Sequence, residues 1–136
     1  EINSLPLRME TKRKHLNELH FDHQLWLSEA IFYGYELSVY RKRLESISFR
    51  NTAQEIKKQI EHFQNQFIIQ KEQLDLLNHE TVVHEQWLAQ VAKENNIASD
   101  HRLFADHQAT HEKINAFKKI YNDLKAEFIR FLSERL

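Results

Sequence analysis

With 136 residues, 41% of them hydrophobic, the chain has the length of one domain with a real core and is too apolar to be disordered. One glycine and one proline leave almost none of the positive-φ positions and tight turns that a β-rich fold or a phosphate-binding α/β enzyme requires, so the expected class is all-α. Nineteen Lys and Arg against twenty Asp and Glu give a net charge of −1, with no overall field to gather nucleic acid or an anionic membrane, and the lack of cysteine removes disulfides, thiolate catalysis and cysteine zinc sites.

The first seven residues, EINSLPL, read as an irregular lead-in, because Pro6 disfavours helical geometry at Leu5. From residue 8 to 48 apolar or small residues recur at 3-4 spacing, through Leu19, His23, Trp26, Ala30, Tyr33, Leu37, Tyr40, Leu44 and Ile47. That rhythm runs straight through Gly34, which predicts one long helix. SFRNTAQE interrupts it, with Asn51 or Thr52 as an N-cap and Glu55 behind it as a capping-box partner. A second helix is predicted over 52–95, on a seam that includes Ile60, Phe63, Phe67, Gln70, Leu74, Thr81, His84 and Leu88. KENNIASDHR breaks the pattern again, with Ser99 or Asp100 as the cap of a third helix over 100–135. Its seam includes Leu103, His107, Thr110, Ile114, Phe117, Tyr121, Leu124, Phe128 and Phe131.

Short connections make sequential helices antiparallel, so the prediction is an elongated up-down-up three-helix bundle with coiled-coil-like helices, one domain over 1–136. In outline it resembles a spectrin-type repeat, and LWLSE at 25–29 is similar to the Trp-bearing segment of that family's first helix. No apolar run reaches the ~18–20 residues of a membrane span and no signal peptide is visible, so a cytoplasmic protein is expected.

Folding the chain this way gathers every histidine except His62 at one end. Facing numbers sum to about 101 across the first hairpin and about 195 across the second. His20 then lies level with Thr81 to His84, and His84 with His111. His23, His84 and His107 fall on seam positions, with His20 and His111 flanking them. His107 and His111 form an HxxxH pair and Glu80 with His84 an ExxxH pair, each stacked on one helix face. Four or five imidazole and carboxylate donors could thus converge on a divalent transition metal, Zn, Fe, Ni or Cu. The ligand set expected is His84, His107 and His111 first, then His20, His23 and Glu80, with Asp22 and Asp106 as further ligands or as orienting acceptors. HQATH is similar to the paired-histidine element of hemerythrin-like proteins; the resemblance covers His107 and His111 alone, with no fourth helix. The other readings of the same residues are a neutral polar layer that sets register and an acid-sensitive switch.

No nucleophile motif or glycine-rich loop is present, so an enzyme is not expected. The basic run RKR at 41–43, Arg50 and Lys57–Lys58 are interspersed with Glu45, Glu55 and Glu61, which reads as a solvated mixed surface. The leading functional expectation is an interaction or scaffold protein with a His-rich end, working through a protein partner or self-association as a homodimer. Phe32 and Tyr35, off the seam of the first helix, would carry it. The alternative is a metal-binding bundle that stores, carries or senses its ion.

Overall fold

The computed structural model describes residues 4–50, 53–94 and 97–135, with side chains from residue 9 onward. Three helices account for almost all of them: α1, Ser4–Arg50; α2, Gln54–Val91; and α3, Ile97–Arg135. α1 packs on α2 and α2 on α3, forming an antiparallel three-helix bundle as the seam spacing predicts. α1 continues through Gly34, where an added Cβ would lie at an ordinary 3.8 Å from Leu74.

The helix ends differ from the sequence expectation in three places. α1 begins at Ser4 instead of after an irregular lead-in. Pro6 sits in its first turn, where a missing N–H removes no intrahelical bond. The predicted caps Asn51 and Thr52 lie outside the described residues, and the residue preceding α2 is Ala53, extended at φ −64 and ψ 137 with no side-chain cap. α2 closes at Val91, before the expected residue 95, because Lys93 N–H turns to Gln90 O at 3.1 Å and Glu94 N–H to Val91 O at 3.0 Å. Ser99 and Asp100, expected as caps of α3, lie buried inside its first turn, since α3 begins at Ile97. Lys12 explains that burial. Its ammonium stands 3.2 Å from the Asp100 carboxylate and donates to Glu94 O at 2.6 Å, tying α1 to the α2–α3 connection.

The apolar interior falls into two clusters. The larger lies toward the first hairpin and is dominated by aromatic side chains: Phe63, Phe67, Phe117, Tyr121, Phe128 and Phe131 around Leu37 and Leu44. A smaller one, Leu19, Leu88, Val91 and Leu103, fills the opposite end. Between the two, on the same seams and beside the buried Trp26 and Ile114, lie five buried polar residues: His23 on α1, Thr81 and His84 on α2, His107 and Thr110 on α3.

Candidate functional site

Helical periodicity puts these five side chains at one level, because each occupies a seam position that points at the bundle axis. His23 is fully buried, at 0% exposure, and His84 and His107 are buried as well. The His23 ring centre lies 5.0 Å from that of His107 and 6.2 Å from that of His84. Trp26 stacks on His107 at 4.8 Å, and Trp87 packs 5.9 Å from His84, so aromatic rings flank the layer.

Each of the three imidazoles has one nitrogen held by another side chain. His23 Nδ1 is 2.6 Å from Glu85 Oε2, and His107 Nε2 is 3.0 Å from Asp22 Oδ2. A carboxylate only accepts, so these nitrogens carry the proton, and the opposite nitrogens of neutral rings hold a lone pair. His84 Nε2 lies 3.1 Å from Thr110 Oγ1. The Thr110 hydroxyl has one proton and faces two pure acceptors, Asp106 O at 3.0 Å and Glu80 Oε1 at 3.2 Å. It therefore accepts from His84 Nε2–H, which leaves the lone pair of His84 on Nδ1. The three remaining nitrogens, His23 Nε2, His84 Nδ1 and His107 Nδ1, are buried with no hydrogen-bond partner among the described residues.

Burial holds the basicity of His23 and His107 below the ordinary 6.5, outweighing the opposing pull of Glu85 and Asp22, and the neighbouring imidazoles act in the same direction as burial. Because the folded-state values lie below the unfolded one, the unfolded chain binds protons more readily. The stability linked to these groups is complete above pH 6.5 and declines as pH falls through 6.5 toward the folded-state values. Urea midpoints measured in metal-free buffer should accordingly decrease from pH 7.5 to pH 5.5, and the decrease should shrink when His23 is replaced by Gln; a midpoint that rises on acidification would contradict the burial described here.

Not all the sequence-predicted site residues enter the layer. His20 is exposed, with Nδ1 on Glu85 Oε1 at 2.5 Å, so one carboxylate bridges it to His23. Glu80 reaches Thr110 and Lys113, at 3.1 Å from the latter, so it stands behind His84. His111 does not pair with His84: one residue past Thr110, it is turned by roughly 100° about the helix axis toward α1. There it meets Trp26 edge-on at 5.7 Å. Asp22 accepts from His107 Nε2, whereas Asp106 contributes its backbone carbonyl to Thr110. His15 packs edge-on against Phe104, His79 and His101 are exposed, and His62 pairs with Glu127 at the other pole.

The sequence reading did not single out Glu85, Thr110 or Trp26 as site residues. Glu85 is off the seam and is recognisable only once α1 is seen to place His20 and His23, three residues apart, against it. Thr110, on the α3 seam, carries no sequence signal that sets it apart from the core around it. Among the described residues, no group of three or more His, Cys, Asp or Glu side chains is placed to hold a metal ion. Neither a known protein family, a characterised protein nor a solved structure matches the chain.

Proposed function

We propose that the bundle binds one divalent transition-metal ion through His23 Nε2, His84 Nδ1 and His107 Nδ1. The observation that carries this reading is the set of three buried lone-pair nitrogens, one from each helix, each on a ring whose other nitrogen is already held. Leaving a buried polar atom unsatisfied costs about 1–3 kcal/mol, so three in one layer are a standing destabilisation that a shared ligand would relieve. Three imidazoles on a common tetrahedral ion at ~2.0–2.1 Å have ring centres about 5 Å apart. The His23–His107 separation of 5.0 Å matches that spacing, whereas His84, at 6.2 Å from His23, stands outside it and has to move for the three to share an ion.

The surroundings support the same chemistry. A carboxylate on the outer nitrogen of a ligating imidazole fixes its tautomer and raises its donor strength, which is the place Glu85 and Asp22 occupy. Their two negative charges balance a dipositive ion inside the bundle. An all-imidazole set favours Zn, Fe, Ni or Cu over Mg or Ca, and it leaves a fourth position for water or an incoming donor. Storage, transport or sensing of the ion is the use this reading takes, since the three rings are buried between two apolar clusters.

The test is metal content by elemental mass spectrometry on untagged protein dialysed against each ion in turn. Near one ion per chain and a raised melting temperature are expected; binding at ~100 times the dissociation constant adds about 2.7 kcal/mol to stability. Cu²⁺ or Ni²⁺ should also quench the emission of Trp26, whose ring lies 4.8 Å from that of His107. Substoichiometric metal with an unchanged melting temperature would leave the three histidines as a polar layer that fixes helix register.

A second reading, an interaction protein working through its outer faces, is favoured by Phe32 and Tyr35, which are 55% and 71% exposed on α1.

A further inference from the structure

Phe32 and Tyr35 belong to a longer pattern that rests on this second reading and is independent of the metal. Phe21, Leu25, Phe32, Tyr35 and Val39 are all exposed large apolar side chains of α1. With Ser28 between them they follow one another at spacings of 4, 3, 4, 3 and 4 residues, the repeat of a coiled-coil seam. At roughly 100° per residue the stripe lies on the side of α1 facing away from Leu19, Trp26 and Leu37, and it runs for about 27 Å. Among the described residues this heptad seam, on the solvent face of a helix already packed on its other side, is left exposed.

We infer that this face of α1 pairs with the same face of a second copy of the chain, the two α1 helices running antiparallel about a two-fold axis near residue 30. Facing residue numbers then sum to about 60. Phe21 meets Val39, Leu25 meets Tyr35, and Phe32 fits over the small Ser28. The borders of the stripe select the orientation. Glu18 and Arg43, both exposed, lie on the same flank of the stripe near its opposite ends. In an antiparallel two-fold pair like flanks adjoin, so Glu18 of each copy stands beside Arg43 of the other, twice. In a parallel pair opposite flanks adjoin and Glu18 and Arg43 stay at opposite ends, so neither meets its opposite charge.

Sedimentation equilibrium of the full chain over a concentration series should show a monomer–dimer equilibrium. Phe32→Glu, at an exposed position, should weaken it roughly tenfold or more without loss of helicity. Glu18→Arg and Arg43→Glu should each weaken the dimer, and the two together should restore it. Because the chain has no cysteine, Lys42→Cys gives a unique spin-label site. Labels there should lie about 36 Å apart along the antiparallel pair, against a backbone separation of ~8–10 Å for a parallel one. A monomer at every concentration, a dimer indifferent to Phe32→Glu, or a short distance between the Lys42→Cys labels would each overturn the proposal. None of these outcomes bears on metal stoichiometry, so failure here and failure of the metal site are distinguishable.

Discussion

His84→Ala combined with His107→Ala is expected to abolish stoichiometric metal uptake while leaving the helical content intact. The pair removes two of three imidazole donors, and the remaining His23 cannot hold an ion in competition with water. Asp22, which is partly exposed, hydrates once its imidazole is gone, and the layer lies between two apolar clusters that still close the bundle. Circular dichroism and elemental analysis of the same sample check both halves of the expectation. Undiminished metal in the double variant would sink the ligand set. Asp22→Asn provides a graded control: it keeps the ring but replaces the charged acceptor, so affinity should fall by roughly 10- to 100-fold with stoichiometry retained. His79→Ala, at an exposed position away from the layer, should change neither quantity.

Phe128→Ala is expected to cost about 3–5 kcal/mol of unfolding free energy. Phe128 is 0% exposed and its ring sits among those of Tyr40 at 5.3 Å, Phe63 at 5.2 Å and Phe67 at 4.9 Å, contributed by all three helices. Truncation removes the buried ring and leaves a cavity that long, straight helices cannot collapse around. Denaturant melts should show the loss as a lowered midpoint at unchanged slope, and thermal melts as a drop of roughly 10–20 °C. A cost under about 1 kcal/mol would mean that this aromatic cluster is not the main apolar core. Under conditions where the variant is still folded, its metal content should equal that of the parent chain, since the cluster and the imidazole layer occupy different levels of the bundle.

The two expectations probe parts of the molecule that differ in how far they can be read from residue order. The helical class and the seams were legible because a 3-4 repeat of apolar residues has one economical solution in water, burial along a bundle axis. Leu19, Leu37, Leu44, Phe67, Leu103 and Phe128 are buried where that repeat puts them. Helix ends were less legible, because they turn on local hydrogen bonding: Pro6 is accommodated in a first turn, and Asp100 is drawn inside α3 by Lys12 from the other end of the chain.

At the candidate site, periodicity alone put His23, His84 and His107 on inward seams at one end of the bundle. Which nitrogens are engaged was decided by residues of low sequence salience, and by packing across helices. Glu85 acts because α1 lies against it, and Thr110 takes the place opposite His84 that the counting had given to His111. A shift of one residue on a helix turns a side chain by about 100°, so summing residue numbers across a hairpin finds the level of a group and not the direction it faces. The sequence by itself determined an all-α bundle whose inward seams carry His23, His84 and His107, because burial periodicity is a property of residue order. The tertiary structure alone decided which nitrogen of each imidazole is engaged, and that His20 and His111 stay out of the layer, because partners far apart in the chain are chosen only when three helices settle into one register.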